Sequence, residues 1–297
     1  MKVIVTGGAG FIGSNIVDKL VELGNEVVVI DNESATSNDS FYHNDKATYF
    51  KYDIAEYDLI RPLFDGVDYV FHLAAESRIQ PTIDNPLLAV RTNVQGTATI
   101  LQCARESGVK KVMYSSTSSA YGRNTPPLVE TMPDDCLNPY SVSKVSGEKL
   151  CHMYTELFGL QTIVFRYFNI YGPREPSKGP YAPVVRLFLR QKEDGEALTI
   201  VGDGQQRRDF THVSDVVNAN IKAMKSDCTG LYNVGTGKNH SVIDLARMIS
   251  DTVKFIPQRI GEAKITLADN SKAQKELHWE PKVQLEDYIK EILQRKG

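Results

Sequence analysis

The sequence predicts an α/β protein, a doubly wound parallel sheet followed by a smaller, mixed α/β carboxyl-terminal lobe. Three observations predict it. Short apolar runs alternate with helical patterns through the first half of the chain, which argues for parallel strands joined by crossover helices. The first run breaks into a glycine-rich turn, Thr6 to Gly13, that opens a helix. After Tyr171 to Pro176 the pattern loosens into proline- and glycine-rich segments that mix short strands with helices.

In chain order, Lys2–Thr6 reads as a buried strand, and a helix is expected from about Phe11. Between them, Gly8, Gly10 and Gly13 fit the G-x-G-x-x-G spacing of a dinucleotide-binding (Rossmann) turn. A pyrophosphate on such a turn meets free N–H groups at a helix amino terminus, where the macrodipole favours negative charge. Glu26–Ile30 is a second strand, ended by Asp31. An acid at that point hydrogen-bonds the adenosine ribose, and no arginine follows to receive a 2′-phosphate, so NAD is expected rather than NADP. Further strands are expected at Thr48–Tyr52, Asp68–Leu73, Lys111–Ser115 and Thr162–Tyr167, with a helix over Leu87–Ser107 that Gly108 ends. Ligands on such sheets bind beyond the carboxyl ends of the strands, which singles out Asp31, Asp53, Ala74, Ser115 to Thr117, and Phe168 to Asn169. Residues 1–168, rejoined by about 211–235, are expected to form the dinucleotide unit. Residues 169–210 and 236–297 are expected to form a substrate lobe.

A chain of 297 residues with a formal charge of −3 has ample core and no electrostatic case for nucleic acid or an anionic membrane surface. Cys103, Cys136, Cys151 and Cys228 fall in no C-x-x-C pair, so neither a metal site nor a disulfide framework is expected. The first strand begins at residue 2, which leaves no room for a signal peptide, and no apolar run spans a bilayer. A cytoplasmic protein is the expectation.

Asn138-Pro139 is a helix start, an N-cap residue followed by proline at the first helical position. Tyr140 and Lys144 follow at i and i+4 and share one face. A tyrosine hydroxyl titrates near pH 10, and an ammonium beside it would stabilise the phenolate, making a general base usable near neutrality. Tyr42 and Lys46 show the same spacing in an expected loop with no helix start. Without the dinucleotide turn, Tyr140 and Lys144 would read as an exposed helical pair, and Tyr114 to Gly122 as a polar turn.

Taken together, the chain resembles the extended short-chain dehydrogenase/reductase family, in its nucleotide-sugar epimerase and dehydratase branch. The likeness runs through TGGAGFIG, VFHLAA (Val70 to Ala75), NVQGT (Asn93 to Thr97), SSTSSAYG, YSVSK, RYFNIYGPR (Arg166 to Arg174), GDGQQRRDF, YNVGTG (Tyr232 to Gly237) and SKAQKELHWEP. The resemblance implies that Tyr140 is the catalytic base. Lys144 would hold the nicotinamide ribose and lower the tyrosine pKa, and Thr117 would bond the sugar's reacting oxygen. It implies that Gly7, Gly10, Phe11, Ile12, Asp31, Asn32, Asp53, Ile54, Leu73, Ala74, Ala75, Ser115 and Tyr167 line NAD together with Tyr140 and Lys144. It also implies that Asn169, Arg208 and Arg259 hold the diphosphate of a nucleotide sugar. Val201, at the end of a Leu198–Val201 strand, would lie against the base. Glu262 stands where many relatives have aspartate, and Thr266 stands where a side chain limits the space beside the sugar's C2 substituent.

The implied reaction is epimerisation at C4 through a transient 4-keto sugar, on UDP-glucose and UDP-galactose with tolerance of their N-acetylated counterparts, in a homodimer. Dehydratases and decarboxylases of the family carry a glutamate two residues after the threonine, where this chain has Ser119, and some have an aspartate where it has Ser118. Removing water across C5 and C6 needs an acid and a base there, and serine is a poor replacement. Against that, AAES (Ala74 to Ser77) resembles the dehydratase side. A 4,6-dehydratase or a UDP-glucuronate epimerase is therefore the alternative, and a non-catalytic NAD-binding scaffold on the same fold is the remote one.

Overall fold

The computed structural model describes residues 1–35, 38–179, 182–258 and 261–296. Its centre is a sheet of seven parallel strands: β1 (Lys2–Thr6), β2 (Glu26–Ile30), β3 (Thr48–Phe50), β4 (Tyr69–His72), β5 (Lys111–Thr117), β6 (Gln161–Tyr167) and β7 (Gly230–Val234). Their order is β7-β6-β5-β4-β1-β2-β3. The order reverses between β1 and β4, so a crevice opens there beyond the strand ends.

Burial on both faces explains the apolar runs. Val3, Val5, Val27 and Val29 pack on one face, against α1 (Phe11–Glu22) and the helix Val213–Lys225. Ile4, Val28, Ile30, Val70 and Val112 pack on the other, with Ile100, Leu101 and Cys151 from the helices that cover it. All seven residues of β5 are buried, as expected of a central parallel strand. β3, at the sheet edge, is shorter than expected and ends at Phe50. β5 runs two residues further than expected, which makes Thr117 its last residue.

The helix expected over Leu87–Ser107 forms with an interruption. Asn85 caps its first turn by accepting from the Leu88 N–H at 3.2 Å. Residues Val90–Gln95 then widen into a π turn before α2, Gly96–Glu106. Crowding favours glycine where the regular helix resumes: a Cβ at Gly96 would sit 2.5 Å from Ile54 Cδ1. The widened turn holds the buried Asn93, whose side chain is used at the site below. α3 spans Pro139–Phe158, starting where expected, and is closed by Gly159 in the left-handed region. Asn138 accepts from the Ser141 N–H at 2.8 Å, and Ser141 reaches back in a capping box.

From residue 171 onward a third core gathers, with Tyr171, Phe188, Leu198, Leu245 and Ile289 at its centre. Short strand pairs frame it, including Leu198–Val201 with Val253–Ile256. Among the described residues, no helix is long and apolar enough to cross a membrane.

Candidate active site

One cavity of about 460 Å³ runs from the β1 turn to the segment around Thr266. At its first end the backbone is packed too tightly for side chains. Gly7 has φ +70°, and a Cβ there would lie 2.7 Å from the Ala74 nitrogen. A Cβ at Gly13 would lie 2.1 Å from the Gly7 carbonyl oxygen. α1 starts at Gly10 with no side-chain cap, so its first N–H groups are left for a ligand. Asp31 accepts from the Ala9 N–H at 3.0 Å and the Glu33 N–H at 2.8 Å, which fixes its carboxylate at the end of β2. Burial raises its pKa despite those two bonds. Asp53, further along the wall, accepts from Arg91 at 2.5 Å. A glycine cradle, an open helix start and a fixed carboxylate are the parts a dinucleotide needs, and the residues fit one.

Beneath this end lies a chain of polar contacts. Thr6 Oγ1 pairs with His72 Nδ1 at 2.7 Å, and His72 Nε2 pairs with Thr97 Oγ1 at 2.9 Å. Burial holds His72 neutral, its pKa down to about 3. Asn93 accepts from the Glu76 N–H at 2.8 Å and donates to the Glu76 carbonyl at 3.0 Å and to Ser143 at 2.8 Å. The loop after β4 is thereby tied to the π turn and to α3.

The reaction centre sits where the tail of β5 meets the head of α3. Thr117, Ser118, Ser119, Tyr140 and Lys144 all line the cavity. The Thr117 hydroxyl is near enough to the Tyr140 phenol to stabilise its ionised form, and its oxygen accepts from the Ser119 N–H at 3.1 Å. Lys144 is buried, with its ammonium 4.3 Å from the centre of the Tyr114 ring. Burial brings the Lys144 pKa down to about 7. Burial raises the Tyr140 pKa, and the Thr117 hydroxyl and, after it, the field of Arg78 oppose that rise. Tyr42, the decoy, lies in the loop before β3, with the Arg174 guanidinium 4.2 Å over its ring.

At the far end, Asn169 donates to the Asp209 carbonyl at 3.0 Å and to Thr266 Oγ1 at 3.1 Å. Arg208 donates to the Arg207 and Lys264 carbonyls and pairs with Glu262 at 3.3 Å. Burial lowers the Arg208 pKa, as enclosure of a cation requires. Asn169, Arg208, Glu262 and Thr266 line the same cavity as the glycine turn.

The structure brings together in that cavity every described candidate except Val201. Val201 does not line the cavity; it ends its strand opposite Ile256, and its carbonyl accepts from Gln206 at 3.0 Å. Arg259 lies outside the described residues. Sequence reasoning missed Arg78, which lines the cavity beside the reaction centre, and Glu76. The signal for both was their place in the loop directly after β4, just past Ala74 and Ala75.

Residues 3–235 match the model of the NAD dependent epimerase/dehydratase family. The chain is 36% identical over 300 residues to a putative UDP-glucose 4-epimerase of Methanocaldococcus jannaschii, covering 98% of this chain and 97% of that one. It is 32% identical over 305 residues to a UDP-glucuronate 4-epimerase of Thermodesulfobacterium geofontis, covering 97% and 93%. Among solved structures, UDP-glucose 4-epimerase of Thermotoga maritima with UDP-glucose superposes with a TM-score of 0.94 at 35% identity, covering 100% of this chain and 99% of that one.

Proposed function

Because the chain belongs to the NAD-dependent epimerase/dehydratase family, an enzyme family that uses NAD, we propose that it is an isomerase that interconverts the C4 epimers of a UDP-hexose. The observation that carries the reading is the Thr117-Ser118-Ser119 run beside Tyr140. It provides a hydroxyl beside a phenol base and no carboxyl at the two positions where elimination needs one.

Bound NAD supplies the reversible hydride acceptor that no side chain provides. The chain's part is proton transfer and placement. Tyr140 takes the proton of the C4 hydroxyl, and Thr117 donates to the oxygen that carries the developing charge. Tyr140 returns the proton once the flat 4-keto sugar has presented its other face. Arg208 and Asn169, at the opposite end, hold the diphosphate while the sugar turns, and a guanidinium suits that task because it meets two phosphate oxygens at once. Residues 1–168 with 211–235 serve as the NAD unit, and 169–210 with 236–297 serve as the substrate lobe. The separate core of Tyr171, Phe188, Leu198, Leu245 and Ile289 supports that division, whereas Ala273, Leu277 and Trp279 pack into the core of the central sheet.

Incubating NAD-loaded protein with UDP-glucose, UDP-glucuronate and UDP-N-acetylglucosamine, and resolving products by chromatography, tests the proposal. A C4 epimer from at least one is expected, and none from any sinks it. Glu76, a carboxyl on the cavity wall whose pKa burial raises, favours a second reading as a 4,6-dehydratase. A 4-keto-6-deoxy product would decide for that reading. We also propose a homodimer through the exposed apolar residues Leu87, Val90, Val142, Met153 and Leu157 on the helical run before α2 and on α3. Light scattering that shows only monomer at micromolar concentration would count against it.

A further inference from the structure

Arg78 is out of balance with its surroundings. It follows the loop after β4, lines the cavity together with Thr117 and Tyr140, and its buried Nε has no hydrogen-bond partner among the described residues. No ion pair of Arg78 is found among them either, although nineteen others are. The surrounding protein desolvates the guanidinium, and the two groups whose fields reach it are Glu175 and Tyr140. Glu175 is itself buried, with Oε1 unpartnered, and burial pushes its pKa up to about 8. Burial thus weakens the counter-charge that Glu175 offers the guanidinium. Glu262, also on the cavity wall, is paired with Arg208.

A desolvated cation without a counter-ion is costly unless a ligand brings the anion. The position of Arg78 limits which anion that is. The diphosphate leaves the sugar at C1, on the opposite corner of the ring from C4, and Arg208 stands at that end. A cation beside Tyr140 faces the ring atoms next to C4, and the substituent that can be anionic there is the one on C5. We propose that Arg78 recognises a carboxylate at C6, so that the preferred substrate is a nucleotide-linked hexuronate rather than a neutral hexose.

This rests on the C4-epimerase reading, and the test separates the two. NAD-loaded protein and its Arg78→Met and Arg78→Lys variants are titrated by calorimetry with UDP, UDP-glucose and UDP-glucuronate, and kcat/KM is measured for both sugars. The parent should favour the glucuronate by about tenfold or more, and Arg78→Met should cut that preference by about thirtyfold, the scale of a charge-assisted hydrogen bond in an enclosed site. Arg78→Lys, which keeps the charge but not the planar fork, should recover part of it. A parent that epimerises UDP-glucose and does not prefer the glucuronate overturns the inference and leaves the epimerase reading standing. Equal weakening of UDP and both sugars in Arg78→Met also overturns it, because Arg78 would then serve the diphosphate. If no sugar is epimerised, the epimerase reading falls, while a glucuronate-selective binding loss in Arg78→Met still upholds the carboxylate site.

Discussion

The two ends of the cavity are built on different principles. The dinucleotide end is made of backbone: a turn with no room for a Cβ at Gly7 or Gly13, an open helix start, and one carboxylate fixed by two N–H groups, all within residues 7–33. The sugar end is made of side chains drawn from distant segments, with Arg78, Thr117, Tyr140, Asn169, Arg208 and Thr266 converging on one space. A backbone site tolerates few substitutions and accepts one ligand shape. A side-chain site can change its ligand by single replacements while the fold stays as it is.

Five measurements sharpen or break that contrast, taken from the largest expected effect to the smallest. Tyr140→Phe should leave NAD bound and reduce turnover by about a thousandfold, since the general base and the proton donor vanish together. Tyr42→Phe should change turnover little, and equal loss from both would remove Tyr140 from its role.

Gly13→Ala tests the backbone end. Its methyl would meet the Gly7 carbonyl oxygen at 2.1 Å, against atoms that cannot swing away. NAD affinity should fall by about a hundredfold, with a drop in Tm, as overpacking at a rigid contact implies. An unchanged affinity by calorimetry would show that the turn is less constrained than its geometry indicates.

Asp31 should make the protein prefer NAD over NADP by at least about tenfold, by charge and by shape. Asp31→Ser should narrow that preference. NADP binding as tightly as NAD in the parent would break the reading.

Thr266→Tyr tests the side-chain end. Thr266 is buried and its hydroxyl accepts from Asn169 at 3.1 Å and from the Asp209 N–H at 3.3 Å, so it fills little of the cavity. Steric exclusion of an N-acetyl group at C2 should therefore be weak in the parent. The variant should lose kcat/KM for UDP-N-acetylglucosamine about tenfold more than for the unsubstituted sugar. Equal loss for both would show that Thr266 serves packing alone.

His72 lies beneath the dinucleotide end, between Thr6 and Thr97, and is held neutral, its pKa down to about 3. An unfolded histidine binds a proton near pH 6.5, so between about 6.5 and 3 the unfolded chain holds more protons than the native one. Stability is then fully present above about pH 6.5 and declines as the pH falls. Unfolding free energies from urea melts between pH 7 and 5 should decline less steeply in His72→Asn than in the parent, by about 2 kcal/mol over that range. Identical slopes would show that His72 does not set the pH dependence.

The sequence by itself determined the features that depend on near neighbours along the chain. The glycine turn, Asp31 at the end of β2, the Asn138-Pro139 helix start and the i,i+4 placement of Tyr140 and Lys144 all follow from backbone geometry within a few residues. Burial on both faces likewise writes a parallel strand as a continuous apolar run, and β1, β2 and β6 were legible for that reason. Only the tertiary structure decided what distance along the chain conceals. It set β7 beside β6, widened Val90–Gln95 so that Asn93 ties the loop after β4, and took Val201 into strand pairing. It also put Arg78, to which no spacing in the chain points, on the wall of the cavity that Tyr140 lines. Electrostatic fields and desolvation depend on which groups share an enclosed space, and local spacing in the chain does not encode that.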